Sequence, residues 1–168
     1  MKTRTRSAAV ALSLFAFFVL LLSPAFAGEY ANALKGVKGV KVVFNVSEGS
    51  AKMANVFFWA VKNVYEDETV KALPEKPQVA VVFHGPVVKL LTNDHAGIAA
   101  EELGELAKFQ ETLKQMKQNG VKLEVCLYAA KVMGVDPATI LPEIDQVGNG
   151  FISVVGYQQQ GYAMVPVP

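Results

Sequence analysis

Cysteine is almost missing from this chain: of 168 residues, only Cys126 carries a thiol. A lone cysteine excludes an intramolecular disulfide framework, so stability has to come from a packed core. Histidine is nearly as scarce, with His84 and His95 alone. Two scattered histidines and one cysteine lack the clustered spacing of a metal site, and no metal is expected. No Gly-x-Gly-x-x-Gly run, Walker loop or Gly-x-Ser-x-Gly elbow occurs. Nucleotide and triad chemistry therefore find no support, and no cofactor is expected. A basic stripe is also missing, since 16 basic residues face 15 acidic ones without clustering; nucleic acid is excluded as the expected partner.

What the N-terminus does contain is ordered. Lys2, Arg4 and Arg6 precede an uncharged apolar run from Ala8 to Leu22, followed by Ser23-Pro24 and Ala25-Phe26-Ala27. That succession reads as a secretory signal peptide over residues 1–27, cleaved after Ala27. The run is shorter than the roughly 20 residues a bilayer-spanning helix needs, and Pro24 breaks any continuation, so a permanent anchor is the weaker reading. Cleavage takes three of the 16 basic residues and none of the 15 acidic ones, leaving 141 residues near −2. Residues 28–168 suit a single domain that buries its own core, periplasmic or secreted. They hold no further apolar segment of membrane-spanning length.

Along that segment strands and helices alternate. Val40–Val46 is β-branched and mostly apolar, as in a strand buried inside a parallel sheet. Ser47-Glu48-Gly49-Ser50 supplies turn and N-cap chemistry. Met53, Val56, Phe57, Ala60, Val61 and Val64 then form one helical stripe. Trp59 lies opposite that stripe and Phe58 to its side, so both are expected at the surface, under a loop or at a subunit interface. A second strand, Gln78–His84, ends at Gly85-Pro86. After a less regular stretch from Val87 to Gly97, Leu103, Leu106, Phe109, Leu113 and Met116 mark a helix stopped by Asn119-Gly120. Val121–Leu127 is the third strand and Tyr128–Met133 a short helix. Ile140-Leu141-Pro142 interrupts, 144–147 is a short strand, and Phe151, Val154, Val155 and Gln158 fall at helical spacing. Tyr162–Val167 is extended. This order predicts a three-layer α/β/α sandwich around a mostly parallel sheet of about five strands.

In such sheets ligands bind beyond the carboxyl ends of the strands. Asn45 and Ser47 follow the first, His84 and Gly85 the second, and Cys126 the third. Cys126 also precedes a helix whose first amides would favour a thiolate or persulfide anion. The alternative is a buried thiol acting as a small hydrophobe. His84 has three readings: general base, hydrogen-bond donor to a persulfide, or a core histidine closing its strand. His95 falls in a loop or at a helix entry without an evident partner, and the charged face of the second helix is solvated surface.

The run Val82-Phe83-His84-Gly85 and the run Asn119-Gly120-Val121 leading into Val125-Cys126-Leu127, with Lys131 and Gly134 beyond, carry a resemblance. So does the ending Gly156-Tyr157-Gln158-Gln159-Gln160-Gly161-Tyr162-Ala163. They resemble the DsrE/DsrF-like proteins over nearly the whole of residues 28–168. The resemblance implies a three-layer α/β domain that assembles into trimers or hexamers. From the sulfur-relay members it further implies that Cys126 carries sulfur as a persulfide between partner proteins. The strand-end positions, independently of the resemblance, offer His84 or Asn45 as its contact, with Gly85 beside them. Those members are typically cytoplasmic, whereas this chain carries an export signal. A non-catalytic oligomeric binding module with a buried Cys126 stands as the alternative.

Overall fold

The computed structural model describes residues 30–168; the signal segment expected at 1–27 lies outside the described residues. The chain divides at Gly36 into two units. Of the first, residues 30–36 form a turn in which the Leu34 N–H donates to the Tyr30 carbonyl at 2.9 Å. The second, Val37–Pro168, holds the sheet.

Five parallel strands make that sheet: β1 (Lys41–Val46), β2 (Gln78–Phe83), β3 (Lys122–Cys126), β4 (Asp145–Val147) and β5 (Ala163–Val167). Their spatial order is β4-β3-β2-β1-β5. The helices are α1 (Ala51–Glu66), the single turn α2 (Glu68–Lys71), α3 (Leu103–Gln118), α4 (Leu127–Val132) and α5 (Gly150–Gln159). From β1 to β4 the chain moves one strand at a time in one direction. It then returns across the whole sheet to lay β5 beside β1. Right-handed crossovers in opposite directions place their helices on opposite faces, so α5 covers the face that α1 and α3 leave free.

The two faces are unequal. On one, Val42, Phe44, Val46, Val79, Val81, Phe83, Leu123 and Val125 meet α1 and α3, whose Phe58 and Phe109 stand edge to face at 4.9 Å. On the other, Val43, Ala80 and Val82 cluster with Val154 and Tyr157 of α5 and with Tyr162. The thinner face is tied by polar contacts. The Tyr157 hydroxyl donates to Glu124 Oε1, and the Tyr162 hydroxyl to Gln78 Oε1 at 3.1 Å. Burial and the neighbouring Glu124 carboxylate keep the Tyr157 phenol protonated far above its ordinary range.

The helix boundaries follow the capping chemistry of the sequence. Ser50 caps α1 by accepting from the Met53 N–H, and beyond Asn119-Gly120 the Val121 N–H returns to the Met116 carbonyl.

The face of α1 differs from expectation. Ala51, Ala54, Phe58 and Val61 are its buried residues, while Met53, Val56 and Ala60 are exposed. At 100° per residue the buried face lies roughly a third of a turn from the expected stripe. Small alanines let the helix seat closely on the sheet, and a stripe drawn through the larger apolar residues passes over them. Phe58 is thus 1% exposed and stacked with Phe83 at 5.9 Å, not a surface residue, whereas Trp59 is 72% exposed. On α5, likewise, Val154 and Tyr157 point inward, and Phe151 and Val155 outward. The stretch after Gly85 is more ordered than its sequence implies. A 3-10 turn, Gly85–Leu90, buries Val87, Val88 and Leu90, and with Leu91 they pack beneath Ile140 and Leu141.

Candidate functional site

Cys126 ends β3 and caps α4 at once. Its Sγ accepts from the Ala129 N–H at 3.4 Å, occupying one of the amide donors that the first turn of a helix leaves without an internal partner. Phe83 of β2 aligns with Val125 of β3, so His84 and Cys126 emerge side by side, one position further on. Gly85 follows with φ +65°, a left-handed backbone that glycine adopts without strain and that turns the chain into the Gly85–Leu90 segment.

These residues border a cavity of about 260 Å³. Its lining comprises His84, Gly85 and Cys126, then Tyr128, Ala129 and Val132 of α4 with Met133 just beyond it, and Asn149 and Phe151 at the start of α5. Cys126 is 5% exposed, and the cavity is its route to solvent. Burial pushes the His84 imidazole below its ordinary value, so it is uncharged at neutral pH. Its Nε2 is buried without a protein partner, and its ring lies 5.4 Å from that of Phe151.

Strand order explains why the cavity is here. The chain leaves β3 without changing face, whereas from β4 it crosses to the other face through α5. Neighbouring strands whose connections diverge open a crevice at their carboxyl ends. Cys126 stands on one side of it and Asn149 on the other. A larger cleft of about 350 Å³, lined by Tyr65, Lys71, Lys76 and Asn119 among others, lies at the opposite, amino end of the strands.

Of the residues singled out from sequence, the cavity brings together His84, Gly85 and Cys126. It does not include Asn45. That residue aligns with Val82, and Val82 with Glu124, one inward-facing layer below Cys126, where Asn45 Oδ1 is buried without a partner. His95 lies in the exposed loop before α3. Among the described residues no group of three or more His, Cys, Asp or Glu side chains is placed to hold a metal ion.

Sequence reasoning missed Gly150. A Cβ built there would lie 3.0 Å from Cys126 Cβ, 3.0 Å from Val82 Cγ1 and 3.7 Å from Sγ, so only a glycine lets α5 begin directly against the thiol. Gly148-Asn149-Gly150 was the available signal, since Asn149 caps α5 by accepting from the Phe151 N–H at 3.0 Å. Gly150→Ala is expected to cost about 1–3 kcal/mol, because both facing side chains belong to packed strands. Val82→Ala in the same chain should recover part of that loss. Urea midpoints of the two variants measure it, and an unchanged midpoint for Gly150→Ala would show that α5 does not seat there.

The DsrE/DsrF-like family model matches residues 38–167, which is nearly all of the sheet-bearing unit. The chain belongs to the DsrE/DsrF-like family. Solved structures agree on the fold. A protein of unknown function from Methanobacterium thermoautotrophicum is 22% identical, with 76% of this chain and 98% of that one covered at a TM-score of 0.56. A conserved protein of unknown function from Bacteroides thetaiotaomicron is 18% identical, with 74% and 94% covered at a TM-score of 0.50. No curated protein matches the chain. Membership in the DsrE/DsrF-like family gives the architecture; what the site does has to be argued from Cys126 and its cavity.

Proposed function

We propose that this DsrE/DsrF-like protein is a sulfur carrier in which Cys126 accepts sulfane sulfur as a persulfide and passes it to an acceptor thiol. The observation that carries this reading is a thiol at a strand-to-helix junction, hydrogen-bonded by the Ala129 amide, on the wall of a cavity at the carboxyl edge of the sheet. One cysteine suffices, because thiol–persulfide exchange takes its second thiol from the partner. His84 stands beside the sulfur as a neutral imidazole able to donate one hydrogen bond, and Gly85 shapes the wall. Treatment with a sulfane-sulfur donor, followed by intact-mass analysis, tests the reading: one added sulfur atom per chain is expected.

A binding module with a buried, inert Cys126 is the second reading, and the 5% exposure of that residue favours it. Alkylation separates the two. A carrier thiol reacts with a small reagent under native conditions, and a packing thiol only after denaturant is added.

The protein works, on this proposal, as an exported homo-oligomer, a trimer or hexamer, passing its sulfur to an acceptor protein. Support for assembly comes from Trp59 on α1 and from the outer face of α5, where Phe151, Ile152 and Val155 are all exposed. Support for export comes from the charged, apolar and small-residue regions of 1–27. Protein recovered from its host should begin at Gly28 and scatter light as several chains. An intact Met1 chain would sink the export proposal, and a monomer at micromolar concentration the assembly proposal.

A further inference from the structure

The walls around Cys126 bear on what delivers the sulfur. Tyr128, Val132, Met133 and Phe151 form them, with His84 and Asn149 as the polar side chains beside the thiol. Among the described residues no lysine or arginine lines the cavity, and the half-buried His84 imidazole is uncharged at neutral pH. On the carrier reading the persulfide anion forms next to the Ala129 N–H and the start of the ten-residue helix α5. A donor bringing further negative charge would leave water for largely apolar walls that offer it no positive charge, and that penalty slows its reaction. The volume of about 260 Å³ sits at the small end of ligand clefts.

Resting on the sulfur-carrier reading above, we infer that the donor taken by this site is a small uncharged organic polysulfide of the type R–S–S–S–R, in preference to an anion such as thiosulfate. The chemistry balances without an added oxidant or reductant. The Cys126 thiolate attacks the central sulfur; the Sγ–S bond forms, one S–S bond breaks, and RS⁻ leaves with the electron pair. The released RS⁻ then attacks the sulfur bearing R in the Cys126–S–S–S–R adduct. RSSR departs and Cys126–S–S⁻ remains. One sulfur atom has moved, and the net charge is unchanged. Val132 and Tyr128, 61% and 67% exposed, set the preference from the rim because they offer an approaching anion no positive charge.

Dimethyl trisulfide and thiosulfate are the probes, with loading of the purified protein followed by intact mass. Each rate is divided by that of a small free thiol to remove intrinsic reactivity. The normalised preference for the trisulfide is expected to be at least about tenfold. Val132→Lys should raise thiosulfate loading several-fold and leave trisulfide loading within about twofold. Should Val132→Lys fold poorly, Tyr128→Lys on the same rim gives the same reading. Equal normalised rates, or thiosulfate loading unmoved by either lysine, overturn the inference. Loading by thiosulfate alone overturns it while leaving the carrier reading intact, and loading by neither donor overturns both.

Discussion

Phe58→Ala is expected to remove about 3–5 kcal/mol of folding stability. That is a large share of the roughly 5–15 kcal/mol by which domains of this size are usually stable. The reason lies in its position: Phe58 stacks on Phe83 of β2 at 5.9 Å and meets Phe109 of α3 edge to face at 4.9 Å, so one ring joins both large helices to the sheet. Its removal leaves a cavity among residues held by a strand and a helix, neither of which collapses readily into the gap. Trp59→Ala, one position along and largely in water, is the control, with an expected change within about 0.5 kcal/mol in the unassembled chain. Chemical denaturation of the two variants at one protein concentration makes the comparison. Similar losses for both would place α1 in a different rotation from the one described.

Cys126→Ser should abolish sulfur loading altogether while leaving a folded domain. Wild-type protein treated with a sulfane-sulfur donor gains one sulfur atom; the variant gains none, because no second thiol exists in the chain. Serine keeps an oxygen where Sγ accepts from the Ala129 N–H, so the start of α4 retains a cap. The fold is therefore expected to survive with its far-UV spectrum unchanged. Native-state alkylation of the wild type by a methyl-sized reagent should be complete without denaturant, since Cys126 opens into a cavity wide enough for it. If the thiol reacts only in urea and Cys126→Ser chiefly lowers stability, the residue is core packing and the binding-module reading holds.

Much of this protein is legible along its sequence. Runs such as Val40–Val46 and Gln78–His84 are mostly β-branched and apolar, which suits a strand covered on both faces, and both strands form where expected. Ser50 starts a helix and Asn119-Gly120 ends one, because caps and left-handed glycines act on backbone groups within a few residues. Cys126 at a strand-to-helix junction is legible for the same reason, and so is the family, whose residues recur in order along the chain.

Tertiary packing decided the rest. Which side of α1 faces the sheet depends on how closely two alanines allow it to approach, and the stripe of larger side chains carries no record of that contact. The order β4-β3-β2-β1-β5 is a choice among distant partners, since strands pair through backbone groups that are nearly alike from one strand to the next. That choice puts Asn149, Gly150 and Phe151 against Cys126, across a crevice that exists only because the chain crosses from one face of the sheet to the other at that point. The thiol could be placed from local pattern. Its cavity could not, because the walls come from segments that share no local signal and meet only once the sheet has formed.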